Sequence, residues 1–255
     1  MSQSTGRANE SRYIGIVADG STDLVIMARF LMAVLEPANP CKEVSLGQRL
    51  SVCMDPFRQK SSKTAGYGLF EKPSKELKNG IVRVIHSAVG ELRDQIPRDL
   101  SHQDVILLTT DAEWTIGDQD EWHKEPRALI INRVFDWAIT AFYNTIGNRD
   151  SWEYLPLIIP LVLFPSTDIL VAAARSNHDV SFDIRGKKAR ELKQKLYGCT
   201  DLNQLRTDDL EKKALQYLTF EGCKRIYSLL PESRVLLRTL TWHYRCPLSP
   251  SSNGR

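Results

Sequence analysis

Tyr13-Ile14-Gly15-Ile16-Val17-Ala18-Asp19-Gly20-Ser21-Thr22-Asp23 passes from β-branched strand residues through an acid and a glycine turn to a pair of hydroxyls suited to capping a helix. An apolar-periodic segment from Leu24 to Leu35 follows at once. A strand that ends in an acid and a glycine, then opens a helix, is the first β-turn-α unit of an α/β domain. Asp19 therefore stands at the carboxyl end of a strand. In open α/β sheets that rim is where ligands bind, because side chains leaving the strand ends face the crevice between the connecting loops.

Working outward, the strand and helix signals alternate for about two thirds of the chain. Ser21 or Thr22 caps a first helix carrying Met27, Phe30, Leu31, Val34 and Leu35, and Pro37 and Pro40 end it. Residues 49–54, with Leu50, Val52, Cys53 and Met54, predict a second strand. The polar loop over 55–70 holds Arg58, Lys60, Lys63 and Gly66-Tyr67-Gly68, and a solvated connection is the simplest reading of it. Ser74 starts a helix with Leu77, Ile81, Val84, Ile85, Ala88 and Leu92 on one stripe, ending before Pro97. Asp104 to Thr109 is a continuous apolar run of the kind buried on both faces of a parallel sheet. It empties into Thr110-Asp111-Ala112-Glu113-Trp114. A long helix over 127–146 and a strand over 155–164 follow, and Pro160 within that strand argues for an irregularity or an edge position. Pro165-Ser166-Thr167-Asp168 then caps a short helix running through Ala172 to Arg175. Beyond about residue 185 only helical patterns remain.

This rhythm predicts an α/β fold, a mostly parallel sheet flanked by helices, with a C-terminal helical subdomain. The expected divisions are a polar tail over 1–12, the α/β domain over 13–180, the helical subdomain over 181–246 and a Pro/Ser/Gly-rich tail over 247–255.

Composition narrows the classes further. With 255 residues and 42% apolar content the chain can bury a sizeable core. A net charge of +3 is too mild to announce a polyanion binder, so any basic surface has to be local. The densest cluster is Arg175, Arg185, Lys187, Lys188, Arg190, Lys193 and Lys195, either a solvated helix face or a track for phosphates. Five scattered cysteines without a C-x-x-C pair suit reduced thiols in a cytoplasm. The longest apolar stretch, over 155–164, is interrupted by Pro156 and Pro160 and falls far short of a membrane span. No G-x-S-x-G elbow and no G-x-x-x-x-G-K-[ST] loop is present, so neither a serine triad nor nucleotide hydrolysis by this chain is expected.

The acids carry the chemistry. If the strands ending at Asp19 and Asp111 are neighbours, Asp19, Asp111 and Glu113 share one rim. Asp111 and Glu113, two residues apart in extended chain, project the same way. Carboxylates packed together raise one another's pKa, and a divalent cation relieves the repulsion; oxygen donors favour Mg²⁺ or Mn²⁺. Asp118, Asp120, Glu121 and His123 read as an exposed acidic loop. Ser166 and Asp168 border the rim or merely cap a helix.

The arrangement resembles the Toprim domain of topoisomerases, primases and the overcoming-lysogenisation-defect nucleases, and the small stand-alone Toprim-like proteins of bacterial defence loci. Their strand ends in Glu-Gly with a nearby Thr-Asp or Thr-Glu, and an Asp-x-Asp follows a later apolar strand. Here the two motifs read Val17-Ala18-Asp19-Gly20-Ser21-Thr22-Asp23 and Leu107-Leu108-Thr109-Thr110-Asp111-Ala112-Glu113. The likeness covers roughly residues 13–170, with a shorter acid in the first motif and a longer one in the second. It implies a Mg²⁺- or Mn²⁺-dependent nuclease with Asp19, Asp111 and Glu113 as catalytic and metal-binding acids. Lys187, Lys188, Arg190 and Lys193 would contact nucleic acid. It also implies an ATPase partner in trans, an anti-phage setting and a cytoplasmic location, and it leaves a homo-oligomer open. The competing expectation is a catalytically weak binding or sensor subunit on the same fold.

Overall fold

The structure is a computed structural model, and it describes residues 12–35, 41–50, 75–111, 127–147, 152, 154–163, 166–176, 189–199 and 206–245. Among the described residues four strands form one sheet: β1 (Arg12–Val17), β2 (Cys41–Val44), β3 (Val105–Asp111) and β4 (Leu157–Leu163). All pairs are parallel and the order is β2-β1-β3-β4. Helices α1 (Ser21–Leu35), α2 (Lys75–Gln95) and α3 (Arg127–Thr145) make the crossovers. After β4 come α4 (Asp168–Arg175), α5 (Ala189–Tyr197), α6 (Thr207–Tyr217), α7 (Phe220–Leu229) and α8 (Pro231–Arg245).

Period-two alternation splits the strands cleanly between two cores. Ile14, Ile16, Val105, Leu107, Ile159 and Leu161 face α1 and α4, while Tyr13, Val17, Ile106, Leu108, Ile158 and Val162 face α2 and α3. The chirality rule for parallel crossovers requires this division. The step from β1 to β2 runs one way across the sheet, the next two run the other way, and right-handed connections then place their helices on opposite faces. The expected α/β class, with an all-parallel sheet covered by helices, is what forms.

Two local readings shift and one holds. Among the described residues the second strand is β2, with the sequence Cys41-Lys42-Glu43-Val44, and from the expected run Arg49 joins the sheet through a bridge to Ala18. Residues 51–54 of that expected strand lie outside the described residues, as does the loop over 55–70. A short, charged strand is suited to a sheet edge, where its outer polar groups meet water. At the opposite edge lies β4, the position that Pro160 demands, since proline cannot donate to a further strand. The first helix is entered from Gly20, whose carbonyl accepts from Leu24, while Asp23 reaches back to accept the Gly20 N–H at 3.2 Å. Asp23 thus plays the reciprocal part of a capping box that Ser21 or Thr22 was expected to open.

The helices after β4 share their core with the sheet. All of α4 from Asp168 to Ala174 is buried, so its apolar surface needs cover on every side. Leu192, Ala214, Cys223, Ile226 and Leu236 supply that cover, in one cluster with Ile14 and Leu161. Close approach of α7 to α4 depends on Gly222, where an added Cβ would lie 2.1 Å from the Tyr217 carbonyl oxygen and 3.2 Å from Ala174 Cβ. Gly222→Ala is therefore expected to lower stability by about 1–3 kcal/mol, the cost of overpacking against a backbone that cannot yield. Urea denaturation measures it, and a variant as stable as the parent would contradict the packing described.

Four basic side chains are spent on helix ends. Arg225 donates to the Ala174 carbonyl at 2.7 and 2.9 Å, Arg175 to Leu196 at 3.1 Å, Lys213 to Tyr197 at 2.8 Å and Arg29 to Leu218 at 3.2 Å. Each meets carbonyls that a helix terminus leaves unsatisfied, where positive charge is also favoured by the helix dipole.

Candidate active site

The sheet order reverses between β1 and β3, and in doubly wound sheets the crevice at such a switch point receives ligands. The register Val17↔Leu108 carries Asp19, two residues on, level with Thr110. Asp19 Oδ2 accepts the Thr110 hydroxyl at 2.6 Å and the Asp111 amide at 3.1 Å. Asp111 closes β3 on the face that carries α4. There its Oδ1 accepts both the Thr167 amide, at 2.7 Å, and the Thr167 hydroxyl, at 2.8 Å. The two acids that the sequence placed on one rim are thus joined, at 9% and 6% exposure, and each has one oxygen fixed by two donors.

Two further acids border them. Asp168, only 4% exposed, accepts the Tyr197 hydroxyl at 2.5 Å on Oδ1 and the Ser166 hydroxyl at 3.2 Å on Oδ2, with Lys193 Nζ 3.5 Å from Oδ2. Helix capping does not account for it, because Thr167 occupies the N-cap position of α4. Asp23 is pushed up from 3.8 to about 6, first by burial and next by the Asp168 charge; Lys193 lowers it, Asp19 raises it, and the Gly20 amide lowers it. The Tyr197 hydroxyl is pushed well above its ordinary value by burial and then by the Asp168 carboxylate.

The raised value of Asp23 has a stability consequence whose sign is fixed. Because the folded state takes up this proton more readily than the unfolded state, stability rises as pH falls from above 6 toward 4. Asp23→Asn, which keeps an acceptor for Gly20, is expected to be more stable than the parent above about pH 7. The advantage should shrink to nothing near pH 4. Paired urea titrations across that window test it, and an advantage that does not change with pH would refute the electrostatic account.

The other expected site residues divide. Glu113, Lys187 and Lys188, together with Asp118 to His123, lie outside the described residues, and Arg190 belongs to α5 without a described side chain. Lys193 is brought to the rim itself. Asp23, four residues after Asp19, stands on the first turn of α1, beside the rim. Tyr197 carried no sequence signal, since nothing in local pattern brings α5 onto α4.

Among the described residues no three His, Cys, Asp or Glu side chains stand close enough together to hold one ion. Mg²⁺, however, keeps several waters and takes only one or two carboxylates, completing its shell with substrate phosphates. Asp19 and Asp111 offer that hard oxygen set, and hydrogen bonds from Thr110 and Thr167 orient the carboxylates as outer partners do in metal sites.

Comparison of the chain with protein-family models, curated proteins and solved structures finds no match in any of the three. The chemistry of the rim has to be read from its own residues. Among the described residues no helix is long and apolar enough to cross a membrane.

Proposed function

We propose that the chain is a Mg²⁺- or Mn²⁺-dependent enzyme that cleaves phosphodiester bonds in nucleic acid. The observation that carries this reading is the bond from the Asp111 backbone amide to the Asp19 carboxylate, which sets one acid against the strand end that bears the other at the sheet's switch point. Asp19 and Asp111 would hold the ion, with Glu113 as the third acid implied by the resemblance to Toprim domains. A bound divalent ion supplies polarisation of the scissile phosphate and stabilisation of the leaving oxygen. Asp19, fixed by two donors, serves as acceptor for the proton of an attacking water. Thr167 fixes Asp111 against the amino terminus of α4, where the helix dipole favours a carboxylate.

One observation favours the second reading, a binding or sensor subunit without chemistry. The same four donors on Asp19 and Asp111 would also serve to tie β1, β3 and α4 together. Incubation with plasmid, linear DNA and total RNA, with Mg²⁺ or Mn²⁺ and beside Asp111→Ala, separates the two. Metal-dependent cleavage that the variant lacks supports the enzyme; binding without cleavage supports the sensor. The resemblance adds an ATPase acting in trans and a role in anti-phage defence. Co-purification of an ATPase from native lysate supports that partner, and a chain that is fully active and always alone counts against it.

A further inference from the structure

Thr167 stands at the N-cap position of α4, yet its side chain makes no capping bond. A threonine there ordinarily has extended backbone and accepts a first-turn amide through its hydroxyl. Here φ is −56° and ψ is −26°, which are helical values, and the Ile169 amide donates to the Ser166 carbonyl at 3.0 Å, so the chain winds one residue early. The Thr167 hydroxyl donates instead of accepting. It reaches Asp111 Oδ1 at 2.8 Å, and the Thr167 amide meets the same oxygen at 2.7 Å. An acid from β3 thus takes the place of the cap. The Ser166 hydroxyl is likewise spent on a carboxylate, that of Asp168, at 3.2 Å. The amide bond by itself would satisfy this helix end, so the bond from the Thr167 hydroxyl serves Asp111 rather than α4.

Two donors from one buried residue, both on one oxygen, fix the rotation of the Asp111 carboxylate. That rotation matters more to some cations than to others. Mg²⁺ demands near-ideal octahedral geometry with oxygens at about 2.0–2.1 Å, whereas Ca²⁺ accepts oxygens at about 2.3–2.6 Å in flexible arrangements. Resting on the metal-dependent reading above, we infer that Thr167 is a positioning residue, whose hydroxyl sets the orientation of Asp111 and so favours Mg²⁺ or Mn²⁺ over Ca²⁺ at this rim.

Mn²⁺ and Ca²⁺ are titrated separately into the full chain without substrate, and calorimetry compares the parent, Thr167→Val and Thr167→Ser. Thr167→Val keeps the amide and the shape but loses the hydroxyl. It should weaken Mn²⁺ binding about tenfold or more, as loss of an outer partner does in other metal sites. Ca²⁺ binding should fall by less than about threefold, because its shell adapts. Thr167→Ser should bind both ions as the parent does. Where Thr167→Val does not fold, Thr167→Ala takes its place under the same expectations. Parental Mn²⁺ affinity in the variant without the hydroxyl overturns the inference and leaves the metal-dependent reading intact; a lower Tm in chelator beside it would show that the hydroxyl only ties β3 to α4. An equal fall for both ions also overturns it, as does a Thr167→Ser variant that binds Mn²⁺ no better than Thr167→Val. A parent that binds neither ion removes the metal-dependent reading itself, and the role of Thr167 with it.

Discussion

Asp104→Ala is expected to destabilise the protein by about 3–5 kcal/mol, the usual consequence of breaking a buried ion pair from one side. Asp104 has no exposed surface and binds five donors: Arg98 through two nitrogens at 2.7 Å each, the Tyr13 amide at 3.1 Å, the Ser101 amide at 3.0 Å and the Ser101 hydroxyl at 3.3 Å. Its carbonyl also accepts the Leu157 amide at 2.8 Å, so one residue links β1, the entry to β3 and the start of β4. Removing the carboxylate strands backbone donors and the Arg98 guanidinium, whose side chain is only 20% exposed. Urea denaturation with an unchanged m-value would give the difference directly. The pair Asp104→Leu with Arg98→Met should recover part of the loss, because apolar replacement of both partners leaves no charge behind. Asp104 precedes β3, about 23 Å from the strand's other end, so the variant should keep whatever chemistry the rim performs while folded. A loss below about 1 kcal/mol would mean that the network is not the anchor described.

At the other end of the same strand, Asp111→Asn is expected to abolish cleavage and leave the metal-free protein about as stable as the parent. The amide oxygen of asparagine can still accept from both Thr167 donors, whereas the negative charge that would hold the ion is gone. Asp111→Ala, by contrast, strands two donors and should lose about 1–3 kcal/mol as well as activity. Melts of parent and both variants, each in chelator and in Mg²⁺, check the pattern. A parent that Mg²⁺ stabilises, beside an Asn variant that it does not, is the expected signature of linkage. An Asn variant that melts well below the chelated parent would identify Asp111 as a structural residue alone.

Much of this fold is legible in local pattern because burial imposes periods that a short window can display. The period-two faces of β1 and β3 and the stripe of α2 from Leu77 to Leu92 follow from side-chain geometry within one element, and the structure buries them accordingly. Pro160 marked its strand for an edge because a missing N–H is a property of one residue. The strand β2 escaped the sequence reading for the complementary reason: Cys41 to Val44 lacks an apolar run, and its pairing with β1 supplies what its composition does not.

For the site, the sequence by itself determined that Asp19 and Asp111 end strands, since an acid and a turn after an apolar run require no partner to be recognised. Only the tertiary structure decided that those strands are neighbours. Strand order is a matter of non-local pairing and crossover hand. It likewise decided that Asp168 is a buried acceptor, because the hydroxyl of Tyr197 and the ammonium of Lys193 arrive from a helix more than twenty residues away in sequence. A residue's type states which partners it can accept. Which of them it receives depends on the packing of α5 against α4, which no local pattern contains.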